Sequence, residues 1–403
     1  MLSSLLPALL LAAAPASTPA AAACPWQASW GTSVMQPGAD STLPAGRLAD
    51  ATLRQVMRVS VGGDSVRVRL SNAYGRAPLR IDGAAIGRVA ANTAATLAPG
   101  SSRALTFAGR ADVLIPAGAD WWSDPVSLPV AAFADLAVSL HLPEDPEGQT
   151  GHPGSRATSY LAKGAHVADT ALPGADTTPH WYFVGGIEVR RCGSARGIVA
   201  FGDSITDGHG VAIDSNGRWT DALARRLGGR RAVVNQGISG NRILRDGTGP
   251  NALARFERDV LSQAGVGHVV LLEGINDVGV LQRDAPAGVA EQDALIAQVT
   301  AGYAQMVARA HQRGIRVYGG TILPFMANRY YHPDAASERM RQAINAWIRT
   351  PGHFDAVIDF DAALRDPARP AYLAPAYDSG DGLHPGAAGY RAMADAVPVT
   401  LFR

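Results

Sequence analysis

The sequence predicts an α/β protein in two parts: an all-β sandwich or jelly roll over residues 24–191, then a three-layer α/β/α domain over residues 196–403. Three observations predict this. The first part alternates apolar and polar residues in short runs parted by proline, glycine and aspartate, as antiparallel strands with one solvated face do. The second alternates short, continuously apolar runs with longer segments of helical period, as a parallel sheet covered on both faces does. The rhythm changes near residues 191–196, and 403 residues are too many for one ordinary core and comfortable for two.

In the first part, residues 56–61 and 65–70 (SVRVRL) alternate, and Gly62-Gly63-Asp64 between them is a hairpin signal. Further strands are expected at 79–86, 104–107, 112–115, 136–142 and 181–189, with no helix of any length and no internal repeat. Trp26, Trp30, Trp121, Trp122 and Trp181 all fall here. They could stack on sugar, but a buried core or interface is the commoner role. His152, His166 and His180 are spaced too irregularly for a metal site.

In the second part, strands are expected at 197–201, 232–235, 268–272, 316–321 and 356–360. Between them lie helical segments at 219–227, 294–310, 340–348 and 389–397, the second with Ile296, Val299, Tyr303 and Val307 on one face. Strand and helix in alternation give a flavodoxin-like three-layer sandwich.

Composition excludes several functions. A chain that is 47% hydrophobic and 18% charged is an ordered globular one, and a net charge of +1 leaves no footprint for nucleic acid or an anionic membrane. Residues 2–14 are apolar, Ala20 to Ala23 would suit cleavage, and no charged side chain precedes Asp40. A signal peptide over residues 1–23 is therefore expected, and with it a secreted or periplasmic protein. The apolar segment is too short for a stable anchor, and no later run is long enough to span a membrane. In an oxidising compartment the two cysteines, Cys24 and Cys192, could close a disulfide. Cys24 also follows small residues as a lipoprotein cysteine does, but the leucine expected upstream is missing. Neither cysteine has metal-ligand spacing.

The chemistry centres on residues 197–208, GIVAFGDSITDG. The apolar run delivers Gly202-Asp203-Ser204 to the carboxyl edge of the sheet, where open α/β proteins place their ligands. A serine hydroxyl alone is a poor nucleophile and needs a histidine base, an orienting carboxylate and donors for an oxyanion. After the second strand comes Asn235-Gln-Gly-Ile-Ser-Gly-Asn241, a glycine-rich turn able to aim a backbone N–H at its neighbour. After the third comes Glu273-Gly-Ile-Asn276-Asp277, and after the fifth and a long loop comes Asp381-Gly-Leu-His384-Pro385. At that last spacing the aspartate can reach Nδ1 of the histidine, leaving Nε2 for the serine. Taken singly, each has a blander reading: Ser204 as a helix N-cap, Asn276 as a turn residue, His384 as a loop histidine. All four blocks at successive strand ends are improbable by accident.

Together the blocks resemble the SGNH, or GDSL, hydrolase superfamily, in its order and with similar separations, from about residue 196 to the C-terminus. The FGDSITDG start, the NQGISGNRIL and LLEGIND variants and the β-rich extension are similar to bacterial secreted arylesterase or acylhydrolase-like members associated with polysaccharide breakdown. The resemblance implies Ser204 as nucleophile, His384 as base and then acid, and Asp381 as the group fixing its tautomer. It implies the N–H groups of Ser204 and Gly240 and the Asn276 amide as oxyanion donors, helped by the positive end of a helix beginning near Ser204. Ile275 departs from the threonine common in the third block, and Thr206 breaks the Gly-x-Ser-x-Gly elbow of α/β-hydrolases. Asp207 is expected to cap or brace the first helix, with His209 and Glu273 at the rim or just behind.

The function expected is a secreted serine esterase, with no metal or organic cofactor, acting on a small acyl ester or acetylated glycan through an acyl-enzyme. Arylesterase or lysophospholipase activity would use the same machinery. Flavin or nucleotide binding is disfavoured because no GxGxxG or GxxxxGK[ST] follows the first strand. A non-catalytic carbohydrate-binding module is disfavoured because Ser204, Asn276, Asp381 and His384 are all retained.

Overall fold

The computed structural model describes residues 24–90, 96–193, 196–283 and 285–403, so the expected signal segment lies outside the described residues. Five runs of the C-terminal half pair in parallel: Gly197–Gly202, Val233–Gly237, Val266–Leu272, Arg316–Gly320 and Ala356–Ile358. Numbered along the chain, their spatial order is 2-1-3-4-5, the doubly wound flavodoxin-like order. Its topological switch point lies between the first and third strands. Ile198, Val199, Ala200 and Phe201 are all fully buried, which is why this strand reads as an unbroken apolar run: helices cover both faces.

The helices Trp219–Arg226, Val289–Gln312, Ala335–Arg349 and Ala387–Ala396 contain or match the expected segments. Three were not foreseen: Ala252–Phe256, running on into a π-helical turn at Glu257–Leu261, Ile275–Arg283, and Phe360–Leu364. The last corrects the expected fifth strand. That strand ends at Ile358, and Asp359 caps a new helix by accepting from Ala362 N.

Among the described residues, the N-terminal half holds two large antiparallel sheets and two two-stranded ones. One large sheet contains Trp26–Gly31, Gly63–Ser71, Asp120–Trp122, Val126–Val130 and Val184–Arg190. The other contains Ala51–Arg58, Gly83–Arg88, Arg103–Ala104, Asp135–Leu142, Ser159–Lys163 and Asp176–Thr178. Leu53, Val66, Val68, Ile86, Leu140 and Ile187 fill the core they share. Gly62-Gly63-Asp64 does not form the expected hairpin. The strands on either side of it belong to different sheets, and the chain crosses between them there. A side chain at Gly62 would strike the Val130 carbonyl and one at Gly63 the Arg190 carbonyl, so the glycines serve close approach rather than a turn. The 79–86 run likewise splits into Leu79–Ile81 and Gly83–Arg88, in separate sheets.

Trp30 and Trp181 are buried edge to face, and Trp26 and Trp122 both lie 4.6 Å from the guanidinium of Arg67. The two halves meet along the Val233–Gly237 edge of the parallel sheet. Ala28 N donates to Ala264 O at 3.0 Å, Val233 N to Ser60 Oγ at 3.1 Å, and Ser33 Oγ to Gln236 Oε1 at 2.7 Å. Cys24 and Cys192 are joined as a disulfide, with Cα atoms 4.7 Å apart. Among the described residues, no helix is long and apolar enough to cross a membrane.

Candidate active site

Where the first parallel strand ends, Ser204–Asp207 forms a single helical turn. Its N-cap is Asp203, whose Oδ1 accepts from Ile205 N at 2.9 Å. Ser204 is therefore the first helical residue, and its hydroxyl has no capping duty. Ser204 Oγ lies 2.8 Å from His384 Nε2, and His384 Nδ1 lies 2.6 Å from Asp381 Oδ2. The three-residue spacing is explained by the other carboxylate oxygen, which accepts from Leu383 N at 2.9 Å and His384 N at 2.8 Å. One side chain thus builds the turn and orients the ring it carries. Burial works against the charge on Asp381, but these bonds and the His384 ring hold its carboxyl well below the usual carboxylate range. An ionised carboxylate only accepts, so Nδ1 carries the proton and Nε2 faces the serine as an acceptor.

Across the crevice, Gly240 adopts φ +78°, and a side chain there would come within 2.8 Å of Thr248. The turn is pinned to the serine helix by Asp207, whose Oδ2 accepts from Ser239 N at 3.0 Å and Ser239 Oγ at 2.6 Å. Asp207 thus braces that helix from its last residue, while the cap belongs to Asp203. Asn276 is buried, with Nδ2 donating to Asn241 O at 2.6 Å and Oδ1 accepting from Tyr331 OH at 2.6 Å. A carbonyl can only accept, so the end facing Asn241 is the nitrogen, and its second N–H remains for another acceptor. Asp277 fixes the intervening loop by accepting from Ile243 N at 2.8 Å and Leu244 N at 3.2 Å.

Beneath the crevice lies a charged layer. Arg255 is fully buried over the Phe201 ring and donates to Gly202 O, Gln236 O, Asn241 Oδ1, Ser33 Oγ and Asp259 Oδ2. Burial pushes Asp203 up to about 7, Asp277 up to about 6 and Glu273 well above the usual range. Glu273 is completely buried, not at the rim, with Arg255 Nη2 3.9 Å away. His209 is half-buried with its ring against that of His384, centroids 4.1 Å apart.

Sequence reasoning missed what the β-rich region sends here. His152 Nε2 lies 2.8 Å from Asp207 Oδ1, with its Nδ1 2.8 Å from Ser33 O, and Arg156 Nη2 lies 3.2 Å from His209 Nδ1. The nearest signal was the Gly- and Ser-rich loop around these residues, which has no period to mark a partner. A cavity of about 100 Å³ at the seam is lined by Trp30, Trp181, His152, Asp207 and Arg218, behind the serine helix. Ser204 and His384 do not line it. The donor atoms of His209, Asp381 and His384 lie within 4.8 Å of one another, a spacing that would also suit a metal ion. Both nitrogens of His384 and both oxygens of Asp381 are already in hydrogen bonds, and the Arg156 cation faces His209.

Hydroxyl, imidazole and carboxylate thus stand in line at the carboxyl edge of a doubly wound parallel sheet, an arrangement suited to nucleophilic attack by the serine. The model of the GDSL-like lipase/acylhydrolase family matches residues 200–392. The C-terminal half of the chain belongs to that family, the SGNH hydrolases, and the protein is a carboxylic ester hydrolase. No curated protein matches the sequence. Similar solved structures include a GDSL-like lipase from Bacteroides thetaiotaomicron, 21% identical over 50% of this chain and 85% of that one, with a TM-score of 0.38. Another is Axe2, an acetylxylan esterase from Geobacillus stearothermophilus, 23% identical over 51% of this chain and 93% of that one, with a TM-score of 0.37.

Proposed function

We propose that the protein is an exported serine esterase of two domains, residues 24–191 and 196–403, that removes short acyl groups, O-acetyl esters of polysaccharide above all. The observation that carries the chemistry is the continuous line from Ser204 Oγ through His384 to Asp381, at 2.8 and 2.6 Å. Ser204 Oγ adds to the ester carbonyl as its proton passes to His384 Nε2. The negative oxygen is held by the N–H groups of Ser204 and Gly240 and by the second N–H of Asn276. Collapse expels the alcohol, which takes the proton from His384, and leaves an acyl-serine. Water then repeats the sequence, releases the carboxylic acid and restores the hydroxyl.

Export is supported by the apolar segment at residues 2–14 and by the Cys24–Cys192 disulfide. A short acyl group suits a nucleophile only 5% exposed beside a base only 8% exposed. The glycan rests on export and the sub-family resemblance. Ser204→Ala is expected to keep the fold while losing at least about 10³-fold in turnover of p-nitrophenyl acetate. A fluorophosphonate should label Ser204 in the parent and nothing in the variant. Full turnover by the variant refutes the assignment. Acetylated xylan, aryl acetates and lysophospholipids compared side by side test the substrate, and faster release from either of the last two overturns the glycan reading.

A further inference from the structure

Arg156 belongs to the β-rich region, yet its guanidinium lies against the active site. Its Nη2 is 3.2 Å from His209 Nδ1, the one hydrogen bond this guanidinium makes among the described residues, and its Nε is buried without a partner. The His209 ring in turn lies on that of His384, at 4.1 Å between centroids and 35° between planes. The backbone at Arg156 is left-handed, φ +47°, which is uncommon for a side chain of this size and needs surrounding structure to hold it. That structure is present. Arg156 O accepts from Asp214 N at 2.9 Å, and the Asp214 carboxylate accepts from Thr158 N at 2.7 Å and Thr158 Oγ1 at 2.6 Å.

A guanidinium only donates, so His209 Nδ1 must accept, and the ring is the neutral tautomer with its proton on Nε2. We propose that Arg156 and His209 are a positioning pair, supplied from across the seam, that keeps an uncharged ring stacked on His384. The imidazolium that forms on His384 during acyl transfer then meets no second charged ring against its face. This rests on His384 being the base, as proposed above. The groups around His209 agree with a neutral ring. His384 and Asp381 face it from the C-terminal loop, Arg156 from the β-rich region and Asp207 from the serine turn, while Tyr390 OH donates to its carbonyl at 2.7 Å. Burial, then His384, then Arg156 push the ring down to about 4, against the pull of Asp381 and Asp207. A protonated His209 would place two cationic rings in contact, which opposes the charge catalysis must create.

The test is the pH profile of kcat/KM for p-nitrophenyl acetate. Arg156→Met removes both the donor and one of the causes that hold the ring down, so His209 takes a proton at higher pH than in the parent. The acid limb should then move up by about half a pH unit or more. In Arg156→Met combined with His209→Phe, the stacked ring has no proton to gain, and the limb should return toward that of the parent. An unmoved limb in the single variant, or the same shift in the double variant, overturns the proposal. Should Arg156→Met fail to fold, NMR titration of His209 in the parent protein decides instead: a ring that is neutral at pH 6 supports the pair and a cationic one refutes it. Turnover retained by Ser204→Ala would sink the esterase mechanism while leaving the charge state of His209 as measured.

Discussion

The two sides of His384 are built by opposite means. On one side is Asp381, three residues away in the same turn, which shapes the loop and orients the ring with a single carboxylate. On the other is His209, held by Arg156 from 53 residues away, and close by Asp207, held by His152 from 55 residues away. The first contact is made within one turn of the C-terminal half. The second exists only while the two halves are docked. The difference suggests a division of labour: the parallel sheet carries the reacting groups, and the β-rich region sets how firmly and in what charge state they are held.

The sharpest way to break this division is to alter a donor of the C-terminal half. Asn276→Ala is expected to lower kcat by about 10²–10³-fold with little change in KM, the usual cost of one oxyanion donor. Its control is Tyr331→Phe, which removes only the hydroxyl donating to Asn276 Oδ1 and leaves the amide nitrogen in place. Steady-state kinetics should show that variant losing about tenfold or less. Equal losses in the two would mean that Asn276 acts through loop position rather than as a donor.

The same contrast governs what the sequence reveals of the site. The meeting of Ser204 with His384 was legible because a parallel sheet delivers its strand ends to one edge, so the order of blocks along the chain already implies a meeting in space. Asp381 was legible because its contact is made within one turn. Gly62-Gly63-Asp64 was misread because close approach and a tight turn ask for the same residues, and only the partner strands tell them apart. The helix Ile275–Arg283 went unseen because its first residues read as a site motif instead of an apolar period. The contacts of Arg156 and His152 left no trace because a contact across a seam has no period and no fixed spacing. Asp203 was visible within the motif, but its role as the cap that frees Ser204 needed the backbone.

A middling effect is expected where the β-rich region braces the serine helix. His152→Ala leaves the Asp207 carboxylate buried without its imidazole, and losing one partner of a buried pair typically costs about 3–5 kcal/mol of stability. Calorimetry should show this as a lowered Tm, with turnover in the cold falling by about tenfold or less, since Ser239 still ties Asp207 to the Gly240 turn. The pH dependence fixes the sign. Burial alone would raise Asp207, but His152 first, then Ser239 and Arg218, hold it below its ordinary value. The stability this contributes is complete above the unfolded carboxylate range and is lost as pH falls through the folded value. The deficit of His152→Ala should therefore be widest near neutral pH and narrow in acid. A deficit that grew toward acid would show that Asp207 is not the group His152 serves.

The smallest effect on rate is expected from the covalent tie. Cys24 precedes the strand Trp26–Gly31 and Cys192 follows Val184–Arg190, and these two strands pair with Trp26 opposite Arg190, so the disulfide ties the two ends of the β-rich region to each other. It closes a sequence separation of 168 residues, and restraining so long a loop in the unfolded chain is worth up to about 5 kcal/mol. Replacing both cysteines by serine should lower Tm by that equivalent and leave kcat/KM within about twofold, because no hydrogen bond of the Ser204–His384–Asp381 line passes through the bridge. The seam between the halves, Ser60 to Val233, Ser33 to Gln236 and His152 to Asp207, is noncovalent and does not include the bridge. A large loss of turnover in the folded double variant would show that docking depends on the bridge, and that the charge state of the active site is set by the covalent link as much as by the loops that reach it.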